Sequence, residues 1–258
     1  MYVRINKVNC TTNYNVQGTD SQKITCLSIY NGGTNIGTYS IPAHIAWLNT
    51  GTSLWQVYGG INENGINATK NFYPFWLPDT MYINYKQADS FTYTPRMRYR
   101  SDINFWLLND FETGNSFGRY NGDTVMTVTN KKTAGEVFQG SYSGKIQFGS
   151  GSSYYTAQSP AKAFPLQGQA IFVEMNYKCD IPFQVGIMYV DNSTGDTTLD
   201  YPVTINPKTT WNKIYVNISV DVQSAQATWY KVIINATKPT GNTSGYVLLD
   251  DIKVLNLN

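Results

Sequence analysis

Charge is scarce in this sequence. Lys, Arg, Asp and Glu make up 14% of the 258 residues and the formal net charge is +2, so the chain has neither the basic footprint of a nucleic-acid binder nor a trap for acidic substrates. Histidine is scarcer still: His44 is the only one, and it sits in Ile41-Pro42-Ala43-His44-Ile45-Ala46-Trp47, where a satisfied core or edge imidazole outweighs a catalytic base. No Gly-x-Ser-x-Gly, His-Glu-x-x-His, P-loop or dinucleotide fingerprint occurs, which leaves a serine triad or a zinc-bound water without candidate residues. Cys10, Cys26 and Cys179 cannot all pair with one another and match no zinc spacing. A Cys10–Cys26 disulfide is one reading; small buried side chains in strands is the weightier one. No apolar run approaches the roughly 20 residues that span a bilayer, and Met1-Tyr2-Val3-Arg4-Ile5-Asn6-Lys7-Val8 alternates like a strand, unlike a secretory signal.

What the chain has is neutral polarity and aromatic edge. Hydrophobic residues reach 41%, with 20 Tyr and 6 Trp, while Asn, Thr, Ser and Gly supply the polar surface. This composition suits an extracellular β protein, an exported chain whose leader has been removed. Apolar and polar residues alternate with a period of two over 2–8, 22–30, 35–41, 53–59, 80–85 and 89–99, punctuated by Asn31-Gly32-Gly33 and Asn49-Thr50-Gly51. The clearest local feature is a hairpin, Ile24 to Tyr30 and Ile36 to Tyr39 around Gly32-Gly33. The pattern stops at the basic run Arg96-Met97-Arg98-Tyr99-Arg100 and restarts with strands near 124–129, 143–148, 169–177, 182–190, 211–221, 227–236 and 245–255. The expected fold is therefore all-β: an N-terminal immunoglobulin-like β-sandwich over 1–101, then a C-terminal jelly-roll β-sandwich over 102–258.

Carboxylates cluster in two places, Asn109-Asp110-Phe111-Glu112 and Leu248-Leu249-Asp250-Asp251-Ile252. Calcium takes six to eight oxygens from carboxylates and carbonyls, which Asp110, Glu112, Asp250, Asp251 and a turn through Gln139-Gly140-Ser141-Tyr142-Ser143-Gly144 are placed to supply. On a strand, alternate side chains share a face, so Asp110 and Glu112 are expected on one side with only one of Asp250 and Asp251; Asp251 with Glu112 is the preferred pair. Such an ion would be structural, stapling the ends of the second domain. A glycosidase also needs only two carboxylates, but the remaining acidic residues lie in loops without a distinctive partner.

These residues carry a resemblance. Asn109-Asp110-Phe111-Glu112, Gly140-Ser141-Tyr142-Ser143-Gly144-Lys145-Ile146 and Val247-Leu248-Leu249-Asp250-Asp251-Ile252 resemble the opening, calcium-loop and closing segments of jelly-roll carbohydrate-binding modules, over residues 103–258. The resemblance implies a structural Ca2+ held by Glu112, the Gln139–Ser141 loop and Asp251. Over the whole chain, Gly37-Thr38-Tyr39-Ser40-Ile41-Pro42-Ala43, the block Gly60 to Thr69 leading into Tyr73-Pro74-Phe75, the run Glu174 to Gly186, and Trp211-Asn212-Lys213-Ile214-Tyr215 are similar to uncharacterised two-domain surface lipoproteins of Bacteroidetes. That similarity implies export and a place at the cell surface, in the outer membrane, through a lipid anchor outside this sequence.

Sugar recognition by such sandwiches uses exposed aromatic faces flanked by amides and hydroxyls. In the second domain Tyr154, Tyr155, Tyr189, Tyr201 and Trp229 stand near loops or strand ends and are the candidate ligand-binding residues; Trp106 and Trp211 are assigned to the core. The leading reading is a non-catalytic, extracellular glycan-binding protein acting through its jelly roll. The alternative is an accessory structural subunit of an outer-membrane protein complex. An enzyme ranks third, and a viral or phage fibre protein is a further possibility.

Overall fold

A computed structural model describes residues 2–48, 51–85 and 90–257; Asn49, Thr50 and residue 89 of the expected turn and strand lie outside them. The chain is all-β and divides into two units, residues 1–103 and 104–258.

The first unit contains β1 (Tyr2–Ile5), β2 (Asn9–Thr11), one helical turn α1 (Tyr14–Gln17), β3 (Cys26–Asn31), β4 (Thr34–Ser40), β5 (Ala43–Ala46), β6 (Gly51–Asn62), β7 (Lys70–Phe72), β8 (Trp76–Leu77), β9 (Asp79–Tyr85), β10 (Ser90–Thr92) and β11 (Arg96–Tyr99). Its sheets run in the orders β10-β1-β5, β2-β11-β8 and β4-β3-β6-β7, with β9 added to β6. The first two strands lie parallel to the last two, β1 beside β10 and β2 beside β11. The expected hairpin is β3–β4. Gly32 and Gly33 close it at φ +54° and +83°, the left-handed backbone that a two-residue hairpin loop requires and glycine adopts without strain. Leu27 and Ile29 point inward and are fully buried, which leaves Ser28 and Tyr30 on the opposite face.

The second unit contains β12 (Ile103–Asn109), β13 (Gly118–Gly122), β14 (Met126–Asn130), β15 (Tyr142–Phe148), β16 (Tyr154–Gln158), β17 (Ile171–Cys179), β18 (Phe183–Val190), β19 (Thr197–Ile205), β20 (Lys208–Asn217), a short helix α2 (Ser219–Ala225), β21 (Tyr230–Thr237) and β22 (Gly245–Leu257). One sheet has the order β14-β15-β22-β17-β20 with β12 also on β22; the other has the order β13-β16-β21-β18-β19. Every second residue of β17, Ile171, Val173, Met175, Tyr177 and Cys179, enters one core with Tyr155 and Ala157 of β16, Val185 and Ile187 of β18, and Ile234 and Ala236 of β21. Two antiparallel sheets sharing a core make this unit a β-sandwich.

Several expectations are corrected. Asn109-Asp110-Phe111-Glu112 is not a strand: β12 ends at Asn109, the Asp110 carboxylate accepts the Glu112 N–H at 3.1 Å, and Phe111 turns at φ +62°. Phe111 then packs on Gly144, where a Cβ would fall 2.5 Å from its ring. The strand expected over 211–221 stops at Asn217 and gives way to α2. No strand was expected over 154–158 or 197–205, which form β16, opened by Tyr154 and Tyr155, and β19 with Pro202 inside it. β19 is the edge of its sheet, where a proline is tolerated. No disulfide joins Cys10 to Cys26, and Cys26 and Cys179 are buried. Trp106 packs against the core, but Trp211 is half-buried, tilted against Phe138, with its Nε1–H donated to the Gly135 carbonyl at 3.3 Å.

Candidate functional site

The outer face of the β13-β16-β21-β18-β19 sheet carries a row of uncharged polar side chains. Strand register places Asn121, Thr156, Asn235, Gln184 and Thr204 directly beside one another across all five strands. They are chained: the Thr156 hydroxyl donates to Asn235 Oδ1 at 3.0 Å, Asn235 Nδ2 to Gln184 Oε1 at 3.0 Å, and Gln184 Nε2 to Thr204 Oγ1 at 3.5 Å. Each amide orients the next; Thr156 is buried at 5% exposure, so Asn121, Asn235, Gln184 and Thr204 are the members that present fixed donors and acceptors. At one end the Tyr154 hydroxyl donates to Asn121 Oδ1 at 3.2 Å. Alternation sends these residues outward because their neighbours Tyr155, Ala157, Val185, Ile234 and Ala236 are buried in the core.

β19 folds an aromatic group onto this face. Its register shifts opposite Gly186, where a Cβ would lie 1.8 Å from the Asp200 carbonyl and 2.9 Å from Tyr201 Cα. Only glycine lets the bulged strand come so close. The half-buried Tyr201 phenol lies beside Thr156, and burial raises its pKa. Beside the ladder, Lys231 Nζ donates to Gln158 Oε1 at 2.9 Å and sits over the Trp229 ring at 5.8 Å.

Of the expected aromatics, Tyr154 (38% exposed) and Tyr201 border this face. Trp229 is half-buried beside Lys231. Tyr189 packs half-buried against the core, 6.0 Å from the Tyr230 ring. Tyr155 is a core residue at 2% exposure and offers no face to a ligand; it is the inward half of a Tyr-Tyr pair whose partner points out. The ladder residues were not foreseen. Their only sequence signal is polar residues at alternate positions of apolar strands, and register across five strands cannot be read from spacing.

The carboxylates gather around the 139–143 turn, differently from the expectation. Glu112 Oε1 accepts the N–H groups of Ser141 (2.6 Å) and Tyr142 (2.9 Å), and Asp250 accepts the Gln139 N–H (3.2 Å) and the Ser143 hydroxyl (2.6 Å). Asp250, not Asp251, therefore shares the turn with Glu112. A shift in β22 pairing and φ +46° at Asp251 break the simple alternation. Asp251 accepts Asn176 Nδ2 at 3.2 Å. Burial raises its pKa to about 6, with Lys213 and Lys253 opposing and Asp110 adding to the rise. Burial and the charge of Asp251 push Asp250 to about 7. Lys213 is also paired with the buried Glu174 at 3.2 Å. Among the described residues no group of three or more Asp, Glu, His or Cys side chains is placed to hold a metal ion. The N–H groups turned toward Glu112 and Asp250 present positive ends, the opposite of what a cation's neighbours supply. Asp110 and Asp251 likewise accept N–H groups, from Glu112 and Asn176, and Lys213 and Lys253 oppose the charge of Asp251.

No family model matches the sequence, and no curated protein does. Among solved structures, the chain is similar to TmCBM61, solved in complex with beta-1,4-galactotriose, at 15% identity over 58% of this chain and 97% of that one, TM-score 0.38. It is also similar to a xylan-binding domain from CBM 22, at 16% identity over 59% and 94%, TM-score 0.38. A third similarity is to the enzymatically active domain of bacteriophage CBA120 tailspike protein 4, at 15% identity over 57% of this chain and 20% of that one, TM-score 0.42. The first two are carbohydrate-binding modules.

Proposed function

We propose that this chain is a non-catalytic glycan-binding protein of the cell surface, using the outer face of the β13-β16-β21-β18-β19 sheet. The observation that carries this reading is the Asn121-Thr156-Asn235-Gln184-Thr204 ladder bordered by Tyr154 and Tyr201. A saccharide offers hydroxyls that both donate and accept, and ring faces that stack on aromatics. A fixed row of amides and hydroxyls between tyrosines complements both, and the absence of carboxylates from the ladder favours binding over hydrolysis. The test is a glycan array with the full chain and its Asn235→Ala and Tyr201→Ala variants. A defined glycan bound by the native chain and lost by both variants supports the reading; a glycan bound equally by all three refutes this face as the site.

Residence in the outer membrane through a lipid is part of the proposal, supported by the surface-lipoprotein resemblance; envelope fractionation of the native protein tests it. A structural calcium belongs to it too, supported by the resemblance to jelly-roll carbohydrate-binding modules; a melting temperature unchanged by chelator would remove it. The accessory-subunit reading is favoured by one observation, the outward pair Tyr82 (77% exposed) and Leu54 facing each other on β9 and β6. Co-purification of a defined envelope protein, lost in Tyr82→Ala, would select it.

A further inference from the structure

The first unit has an aromatic cleft of its own. Across β3, β6 and β7, the face opposite the buried Leu27 and Ile29 opens into a cleft of about 360 Å³ lined by Ser28, Tyr30, Tyr58 and Phe72. Its three rings are arranged edge to face, Tyr30 to Tyr58 at 5.3 Å and 73°, Tyr58 to Phe72 at 5.5 Å and 74°. They stand as walls, and Phe72, although packed edge to face on Tyr58, remains 48% exposed, apolar surface left in water.

Next to the cleft on the same face, Gly60 has no side chain and leaves room for the Cys26 thiol. Register sets Gly60 between Cys26 and Phe72, and a Cβ there would fall 2.5 Å from the Cys26 sulfur and 3.0 Å from the Asn71 carbonyl. Polar groups surround the walls: the Ser28 and Thr38 hydroxyls are 2.8 Å apart, Asn35 Nδ2 donates to the Tyr30 hydroxyl at 3.4 Å, and Lys70 Nζ donates to the Ser40 hydroxyl at 2.6 Å. None of the four lining residues is charged, which disfavours a phosphate or carboxylate ligand. The hydroxyls of Ser28 and two tyrosines disfavour a purely apolar one. A ligand with an apolar ring face and neutral hydroxyls satisfies both, and the volume lies at the small end of ligand sites.

We infer that the Ser28-Tyr30-Tyr58-Phe72 cleft is a second saccharide site, for one or two neutral pyranose units, independent of the face on the second unit. The ring face stacks on Phe72 or Tyr58, and Ser28 meets a sugar hydroxyl from below.

The test is calorimetric titration of the full chain with neutral gluco-, xylo-, manno- and galacto-oligosaccharides, in the native sequence and in Phe72→Ala, Ser28→Ala and Tyr201→Ala, each checked for native circular dichroism. Phe72 and Ser28 are surface groups, so the fold survives their truncation. At least one saccharide is expected to lose about tenfold in affinity in Phe72→Ala, the loss of one stacked ring, to weaken in Ser28→Ala, and to bind unchanged in Tyr201→Ala. If every bound saccharide is affected only by Tyr201→Ala, the cleft inference is overturned while the second-unit face stands. If the native chain binds none, both fall.

Discussion

Glu112 holds the 139–143 turn with one carboxylate oxygen on two backbone N–H groups, and a Cβ on Gly140 would sit 2.2 Å from that oxygen, so the seat admits little else. Glu112→Ala leaves two N–H groups of the turn without their acceptor and is expected to cost about 1–3 kcal/mol. Glu112→Gln, which keeps an acceptor oxygen, costs less. Urea unfolding of the two variants measures the difference. The cysteines give a second test at this scale. Burial raises the Cys26 thiol and pushes Cys179 to about 11, so both are protonated at neutral pH and shielded, and thiolate is the reactive form. A thiol reagent is expected to modify Cys10 first and to reach Cys26 and Cys179 only after denaturant is added; native-state labelling of Cys179, read by mass spectrometry, would contradict the buried strand assignment.

For strands, the decisive device is the β18–β19 pairing. Gly186 lets β19 bulge against β18 and carries Tyr201 toward Thr156. Gly186→Ala puts a methyl where the Asp200 carbonyl lies, and overpacking of this kind costs about 1–3 kcal/mol. Because β19 is an edge strand, the expected response is local displacement with the rest of the sandwich intact. Hydrogen exchange should therefore accelerate in 197–205 and not in 171–179, and glycan affinity should fall together with that of Tyr201→Ala. Uniformly faster exchange across both sheets would show that the bulge supports the whole core. The alternating pattern made most strands of this unit legible beforehand, β15, β17, β18, β21 and β22 among them. β13, β16 and β19 were not, since short or polar strands and the proline-bearing edge strand β19 lack a clean period of two, and these three supply Asn121, Thr156 and Thr204.

Over the whole molecule, Asp250 and Asp251 set a pH dependence. Burial, with their mutual charge for Asp250, raises them from 3.8 to about 7 and about 6, so the folded chain keeps protons that the unfolded chain releases. Their contribution is fully present below about pH 4 and is lost as pH rises through 6 to 7, because stability falls wherever the folded state binds more protons. In the presence of chelator, the melting temperature should drop by several degrees between pH 5 and pH 8, and Asp250→Asn should flatten that slope. A flat native profile would mean that both carboxylates are solvated or neutralised. By itself the sequence determined the all-β class, the β3–β4 hairpin with its Gly32-Gly33 loop, and a neutral, aromatic surface, because alternation, glycine backbone freedom and composition act over a few residues at a time. Only tertiary structure decided which carboxylate meets the 139–143 turn, that Tyr155 faces the core, and that five polar residues from five strands form one ladder beside Tyr201. Those outcomes depend on register, bulges and positive-φ turns, which join residues up to 111 positions apart and leave no periodic trace along the chain.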